Sequence, residues 1–266
     1  MTTVNWDHVL ELTQEDCFWL PQEGNVIERP ELLVLYSSRD IQYLNTVIRV
    51  RGTEEELPAL VKEVSELHRS VRSRWVLTPG NQSKTLETLL TREGYTAGHR
   101  HHGYVMPVKE YQPKFSEHLV WKRVETLQEL KDCEEVTLQS FGSATRLSEE
   151  ELERELVHCT GPDARVLRVV VYDKNSGKAV SSGGMNLYPT LDFGFLWAGS
   201  TIPEARQRGA YTTLMSARIS LAGEMGLTAV GLYARQGTSA PIVAAQGFLQ
   251  CGLMVQWDRP VLQSLT

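Results

Sequence analysis

Residues 200–214 read STIPEARQRGAYTTL. The stretch joins a predicted strand, Asp192–Thr201, to a predicted amphipathic helix from Ala210 to Met225. Between them lies a short turn that contains a proline, two arginines and a glycine. A strand that leads through such a turn into a helix is typical of α/β proteins, and this turn is therefore the first place to look for a ligand.

The composition of the turn predicts a phosphate-bearing ligand. The first backbone N–H groups of a helix have no partner inside the helix, and with the helix dipole they form an anion site. Gly209 allows the backbone to approach a phosphate closely, and Arg206 and Arg208 add charge that suits a pyrophosphate. The alternative interpretation is an ordinary helix start with solvated arginines.

Around this turn the second half of the chain alternates strands and helices. Ser148 and Glu151 have the spacing of a capping box, which marks the start of a helix. The other predicted elements are strands Leu119–Val124, Val166–Tyr172, Lys178–Met185, Thr228–Ala234 and Phe248–Trp257, and helices Leu127–Gln139 and Ala240–Gln246.

The first half contains a reduced version of the same ending. Strands are predicted at Asn45–Arg51 and Trp75–Thr78, and a helix at Thr85–Glu93. Gly94–Tyr95 then stands where Gly247–Phe248 stands in the second half, about one domain length earlier. We interpret this as a degenerate internal duplication; a chance match of a common helix–glycine–strand ending is the alternative.

Two motifs resemble those of a known family. Arg206-x-x-Gly209, after a strand that ends at Ile202–Pro203, resembles the pyrophosphate loop of the GCN5-related N-acetyltransferases. Residues 238–242 (TSAPI), followed by Gly247–Phe248, are similar to the next motif of that family, a short helix with a Gly-Phe ending. The resemblance covers about residues 118–258. It implies an α/β (α+β) protein of two such domains, each a twisted mixed, mainly antiparallel sheet flanked by helices.

The implied domain organisation is a tandem one. Residues 1-108 would form a degenerate domain without a cofactor loop, 109-117 an exposed linker, and 118-266 the domain that binds acetyl-CoA. In the first half, the place of the loop reads RVRGTE (residues 49–54), and two further glutamates follow it. Their negative charge would repel a pyrophosphate, so only the second half is expected to bind the cofactor.

The resemblance also assigns residues to the co-substrate, acetyl-CoA. Backbone groups of Thr201 and Ile202 would pair with the pantetheine arm, as in strand addition. Ser239 would contact the pantetheine or the phosphate side. The pyrophosphate would be held by Arg206, Gln207, Arg208, Gly209, Ala210, Tyr211 and Thr212. Tyr211 replaces the last glycine or alanine of the family pattern.

The catalytic groups of the family have no direct counterpart here. Its frequent general-acid tyrosine, four residues before the Gly-Phe glycine, is Val243, and residues 194–198 (GFLWA) contain no carboxylate or histidine. Asp192 and Tyr233 are the substitutes to test; an exposed turn acid and a packed strand residue are the alternative interpretations. A weakly basic amine could also lose its proton through water. Trp197 is either a wall of the acceptor pocket or part of the core.

The predicted function is transfer of an acetyl group from acetyl-CoA to a primary amine of a small molecule or peptide. The main alternative is a catalytically silent acyl-CoA-binding protein with a regulatory or scaffold role, which the missing tyrosine favours. A third possibility, an unrelated nucleotide binder, would need a GxxxxGK[ST] or GxGxxG motif, and the sequence has neither.

Charge and composition narrow the partners. The 266 residues carry a formal net charge of −6, which argues against nucleic acid or an anionic membrane as the main partner. There is no signal peptide pattern and no apolar run of membrane-spanning length, and the four cysteines lack metal spacing, so a cytoplasmic protein is expected. The HRHH run at 99–102 places two histidines on one strand face, which is poor metal geometry, and no metal is expected. Both a monomer and a homodimer are compatible with the sequence.

Overall fold

The structure, a computed structural model, describes residues 4–142 and 146–261. The chain divides into two compact units. The first combines Met1–Tyr104 with Tyr233–Thr266, and the second is Val105–Leu232. These units differ from the predicted bounds of 1-108, 109-117 and 118-266, because the last strand of the chain pairs with a strand of the first half. Whether the predicted bounds separate the two copies of a duplicated domain stays a prediction.

The first unit is a mixed sheet with helices on it. Its strands lie in the order β1-β2-β3-β4-β11-β5. β3 and β4 are parallel, while the β1–β2, β2–β3 and β4–β11 pairs are antiparallel. The elements are α1 (Trp6–Glu15), β1 (Asn25–Arg29), β2 (Leu32–Tyr36), β3 (Thr46–Val50), α2 (Leu57–Leu67), β4 (Ser73–Leu77), α3 (Lys84–Arg92), β5 (Thr96–Pro107, of which the part to Tyr104 belongs here), α7 (Ser239–Ala244) and β11 (Leu249–Arg259).

The second unit has the same character. Its strands lie in the order β10-β9-β8-β7-β6, and all neighbours are antiparallel except β9 and β10. The elements are β6 (Leu119–Arg123), α4 (Leu127–Phe141), α5 (Glu149–Thr160), β7 (Val166–Asp173), β8 (Ala179–Tyr188), β9 (Phe193–Thr201), α6 (Ala210–Glu224) and β10 (Ala229–Arg235, of which the part to Leu232 belongs here). The predicted fold class, mixed and mainly antiparallel sheet flanked by helices, is confirmed.

Local capping fixes where α5 begins. The Ser148 hydroxyl accepts the N–H of Glu151 at 3.2 Å, and the Glu151 carboxylate accepts the N–H of Ser148 at 2.7 Å. Leu152 and Leu147 join the same hydrophobic cluster, beneath α4 and α5. The capping box read from the sequence is therefore confirmed, and it aims α5 at the sheet.

The interpretation of α6 as amphipathic is wrong. The residues along nearly its whole circumference are buried, among them Thr213, Ser216 and Arg218. The reason is that the segment predicted to be an exposed linker packs on this helix. Tyr111 is 8% exposed, its hydroxyl lies 3.1 Å from the Ser216 hydroxyl, and the N–H of Lys114 donates to that hydroxyl at 2.8 Å.

The order of elements supports the internal duplication. In each half a strand, a helix and a second strand parallel to the first follow one another: β3–α2–β4 and β9–α6–β10. A short helix then ends at a glycine in the left-handed region, Gly94 with φ 82° and Gly247 with φ 87°. α1, β1 and β2 lie outside the predicted elements.

Candidate functional site

β9 and β10 separate part-way along their length. Their parallel ladder joins Phe193–Phe195 to Ala229–Gly231 and goes no further. β9 continues to Thr201, so its outward backbone groups beyond Phe195 have no partner from β10. An extended ligand can pair with such an edge in the way that an added strand does.

A β-bulge lies in the separated part of β9. Ser182 pairs with Ser200 and Gly184 pairs with Trp197, so two residues of β9 oppose Gly183 alone. One of these two, Ala198, has φ 47°, which is rare for a residue with a side chain. A bulge leaves the extra residue unpaired in the ladder and re-aims its backbone groups.

The turn after β9 is built from two left-handed residues. After one 3-10 turn at Pro203–Ala205, Gln207 has φ 61° and Gly209 has φ 80°. Arg206 is tied back to the strand, because its Nε donates to the carbonyl oxygen of Thr201 at 3.2 Å. Gly209 is the N-cap of α6, and its carbonyl oxygen accepts the N–H of Thr213 at 2.9 Å.

The start of α6 is electrostatically open to an anion. No side chain caps it, and its first turn contains no acidic residue. Arg206, Gln207, Arg208 and Gly209 are all exposed. Within residues 4–142 and 146–261, neither arginine forms an ion pair with a carboxylate. Free N–H groups, the helix dipole and two exposed guanidinium groups thus meet at one place, and the charge of Arg208 also contributes to lowering the pKa of Asp173.

Ser116 lies against the turn at Gly209, and the sequence analysis did not predict this contact. A Cβ on Gly209 would lie 3.4 Å from Cβ of Ser116. Ser116 is held there by its N–H, which donates to the Thr213 hydroxyl at 3.3 Å, and its own hydroxyl lies 3.0 Å from Nδ1 of His118. Ser116 and His118 lie about 90 residues before the loop in the sequence, and no local signal links them to it.

The backbone of Ile202 is already engaged. Its N–H donates to the carbonyl oxygen of Val180 at 3.0 Å, and its carbonyl oxygen accepts the N–H of Ala205 at 3.0 Å. The Thr201 carbonyl oxygen receives the Arg206 side chain. Free edge groups are therefore to be sought earlier on β9, and the predicted pantetheine contacts of Thr201 and Ile202 stay predictions.

Trp197 lies half-buried on β9 next to the bulge. Its Nε1 donates to Oδ1 of Asn186 at 2.7 Å, and the Arg168 guanidinium lies over its ring at 5.0 Å. Arg168 is itself paired with Glu155 of α5. The ring is thus fixed by a polar network, with part of its surface still open to solvent; sequence reasoning did not single out Asn186 or Arg168.

Asp192 lies apart from these groups. It is exposed, has φ 47°, and its carbonyl oxygen accepts the N–H of Thr228 at 2.9 Å where β9 and β10 begin. Thr201 lies nine positions further along the strand, which corresponds to about 30 Å. Its position ties the two strand starts together, and its role as general base stays a prediction.

Tyr233 and Ser239 belong to the first unit. Burial, followed by the negative charges of Glu11 and Asp7, raises the pKa of Tyr233, so its hydroxyl keeps its proton. The Ser239 hydroxyl accepts the N–H of Arg235 at 2.9 Å before α7 begins. Of the predicted site residues, those of the loop lie together at the start of α6, and Trp197 lies further back on β9 beside the bulge. The roles assigned to all of them stay predictions.

Solved structures match the chain over almost its whole length. A GCN5-related N-acetyltransferase from Kribbella flavida has a TM-score of 0.71 at 14% identity, over 98% of this chain and 97% of that one. The fold is that of the GCN5-related N-acetyltransferases. A GCN5-related N-acetyltransferase from Sphaerobacter thermophilus has a TM-score of 0.67 at 14% identity, over 96% of this chain and 86% of that one.

A tandem member of the fold also matches. A tandem GNAT protein from the clavulanic acid biosynthesis pathway has a TM-score of 0.65 at 12% identity, over 96% of this chain and 88% of that one. The resemblance read from the sequence is thereby confirmed at the level of the fold, including its two-domain form. No protein-family model matches the chain, and no curated protein matches its sequence.

Within the N-acetyltransferase fold, the corresponding turn of the first unit is closed by its own carboxylates. The Glu15 carboxylate pairs with Arg49 at 2.6 Å and with Arg51 at 3.0 Å. The Glu56 carboxylate accepts both the N–H and the hydroxyl of Thr53, at 2.8 and 3.0 Å, and these bonds hold its pKa below the usual value. The arginine charges at this turn are thus already paired with a carboxylate, and the Thr53 donors already have an acceptor.

Metal ligation and membrane insertion find no support in the part of the chain that the structure describes. Across the described residues there is no group of three or more side chains with metal-ligand chemistry, and no helix long and apolar enough to cross a membrane. Val243, at the place of the family's tyrosine, is fully buried. His99 and His101 lie on one face of β5 with ring centroids 6.4 Å apart, and burial lowers the pKa of His101 to about 4.

Proposed function

We propose that the chain is an N-acetyltransferase that moves an acetyl group from acetyl-CoA to a primary amine of a small molecule or peptide. The observation that carries this proposal is the start of α6. Gly209 is the N-cap of the helix, and Arg206 and Arg208 stand exposed beside it with no ion pair to a carboxylate of residues 4–142 and 146–261. A pyrophosphate supplies the charge that this arrangement lacks.

The position of the thioester follows from the direction of the strand. From the turn, the free edge of β9 leads back to the bulge at Ala198. A pantetheine arm paired with this edge would bring the thioester to the bulge. There an unpaired backbone N–H can donate to the carbonyl oxygen, which becomes negative during the reaction.

The reaction balances without a further co-reactant. The amine nitrogen attacks the thioester carbonyl carbon, and the oxygen takes the negative charge. When the intermediate collapses, the C–S bond breaks, the C–N bond remains, and CoA leaves as a thiolate that takes up a proton. The nitrogen gives its extra proton to water, since residues 194–198 of β9 carry no base. Trp197 is proposed as a wall of the acceptor pocket.

The first test is binding of acetyl-CoA to the full chain by calorimetry, followed by a screen of amines for release of the CoA thiol. Binding with turnover supports the proposal. Binding without turnover on any amine would favour a silent acyl-CoA-binding protein. Displacement of acetyl-CoA by ATP or NAD at similar concentration would favour a general nucleotide binder, and no binding at all would overturn the cofactor assignment.

A further inference from the structure

A charged side chain lies in the core of the second unit without a carboxylate partner. Arg218 of α6 is 1% exposed. Its Nη1 donates to the carbonyl oxygen of Gly184 at 3.1 Å and of Trp197 at 3.3 Å. No acidic side chain among the described residues pairs with it, and burial lowers its pKa. Burying a charge is costly, and hydrogen bonds from the guanidinium to protein carbonyl oxygens offset part of that cost.

The surrounding strands leave room for this guanidinium. A Cβ on Gly183 would lie 2.8 Å from Nη1 of Arg218, and a Cβ on Gly199 would lie 3.2 Å from Nη2. Any larger residue at Gly183 would collide with it. The two glycines on neighbouring strands thus provide the space that the Arg218 guanidinium fills. In a close-packed core, this space has the size and shape of that side chain.

The two residues that accept hydrogen bonds from Arg218 face each other across β8 and β9, directly beside the bulge. Gly184 and Trp197 are the pair at which the β8–β9 register changes, and Ala198 with φ 47° follows directly. A bulge disrupts the ladder and leaves backbone groups without partners. Arg218 donates from Nη1 to a carbonyl oxygen on each strand, so one nitrogen ties the two strands together at this pair.

Tyr211 completes the arrangement. It replaces the last small residue of the loop pattern, and its ring would lie 3.1 Å from a Cβ on Gly199. Its hydroxyl is a hydrogen-bond neighbour of the Arg218 guanidinium, and burial raises the pKa of that hydroxyl. The residue that departs from the pattern thus contacts both the bulge and the arginine that holds it.

We infer that Arg218 is a positioning residue for acetyl transfer: it holds the β9 bulge in the conformation that aims a backbone N–H at the thioester carbonyl. This rests on the proposed function. Arg218 does not touch the substrate; it acts through Trp197 and Gly184. Its removal should therefore leave acetyl-CoA affinity nearly unchanged and weaken the polarisation of the carbonyl.

The test uses acetyl-CoA labelled with carbon-13 at the carbonyl, bound to the full chain. Infrared difference spectra report the carbonyl stretch, which falls in frequency when an N–H donates to the oxygen. In wild type we expect a downshift relative to free acetyl-CoA. In Arg218→Met and Arg218→Lys we expect this downshift to be largely lost, kcat with an active amine to fall about tenfold or more, and the Kd for acetyl-CoA to change by less than about threefold.

A matched control separates positioning from stability. Arg259 of the first unit is also 1% exposed, pairs with no carboxylate among the described residues, and donates from Nη2 to the carbonyl oxygens of Ser65 and His68. Arg259→Lys should lower stability and leave the carbonyl stretch and kcat unchanged. If both Arg218 variants fail to fold, Tyr211→Phe takes their place. We expect a smaller downshift of the carbonyl stretch in this variant than in wild type.

The outcomes are distinguishable. Wild type that binds no acetyl-CoA overturns the proposed function. Wild type that binds it with a downshift, together with a folded Arg218→Met that retains both the downshift and kcat, overturns this inference alone. An unchanged carbonyl frequency in Tyr211→Phe, where only that variant folds, also overturns it.

Discussion

Ser116 closes one side of the turn at Gly209: a Cβ on Gly209 would lie 3.4 Å from Cβ and 3.5 Å from Oγ of Ser116. The space above this glycine is therefore narrow, and the residue already has φ 80°. Gly209 is the N-cap of α6, so a side chain at position 209 would stand beside the first N–H groups of the helix and compete with a ligand there.

Gly209→Glu should abolish acetyl-CoA binding while the chain stays folded. The substitution places a like charge at the proposed pyrophosphate site, and the left-handed backbone adds a strain of about 1 kcal/mol. The control is Gly226→Glu at the other end of α6, where φ is 77° and nothing lies within 4 Å of a Cβ. It carries the same charge and strain and should bind normally. Calorimetry and thermal melts measure both; a folded Gly209→Glu that keeps its affinity would refute the loop assignment.

Arg208→Gln should weaken acetyl-CoA binding about tenfold. The guanidinium is exposed and forms no ion pair in the described part of the chain; it helps to lower the pKa of Asp173 but remains accessible to a phosphate. S-acetylpantetheine, which lacks the pyrophosphate, should bind wild type and variant equally. Arg154→Gln, an exposed arginine paired with Glu150 on α5, is the control for net charge. Equal losses for both ligands would place Arg208 away from the pyrophosphate.

The sequence could reveal what local chemistry determines. Ser148 and Glu151 act within one turn of helix, and Gly209 acts within one loop, so their roles follow from spacing alone. Arg218 gives no such signal, because its partners lie on β8 and β9, and only packing brings Gly184 and Trp197 to it. The burial of α6 on a second face gives no local signal either, because it depends on a segment about 100 residues away in the sequence.

Ser148→Ala should lower the free energy of unfolding by about 1 kcal/mol. The hydroxyl is the cap that accepts the N–H of Glu151, and its loss leaves that N–H without a partner within the helix end. Urea denaturation measures the change. Glu150→Gln, on the exposed side of the same turn, should change stability by less than about 0.5 kcal/mol. A loss no greater than that of the control would show that water replaces the cap fully.

Stability should fall as the pH falls from about 6.5 toward 4, and His68 should contribute to this fall. His68 is fully buried, and its pKa is lowered to about 4, first by burial and then by the nearby charge of Arg259, despite the bond between Nε2 and the Leu35 carbonyl oxygen at 2.9 Å. Between these pH values the unfolded state binds a proton that the folded state refuses. The stabilising term is therefore complete above the unfolded pKa and lost below it.

His68→Gln keeps a donor for the Leu35 carbonyl and removes the titration. Urea denaturation at pH 7 and pH 4.5 should show a smaller difference in the variant, by up to about 2 to 3 kcal/mol. Variants are compared with wild type at each pH, because other groups titrate in the same range. An equal difference in both proteins would mean that His68 titrates normally.

The C-terminal fragment 113–266 should not hold its last strand in place. In the first unit β11 pairs with β4 from Val255↔Leu77 to Arg259↔Ser73, and Trp257 lies in a core with residues of β2, β3 and α2. Cutting away the first half removes these partners and leaves an apolar edge exposed. Hydrogen exchange should show β11 amides protected in the full chain and unprotected in the fragment. Fragment 105–235, which lacks β11 but keeps Tyr111 and the loop at Gly209, should be more soluble and still bind acetyl-CoA. Protected β11 amides in 113–266 would mean that the strand finds its partners within the second half, and the predicted bound at 118 would then describe a folding unit as well as a repeat.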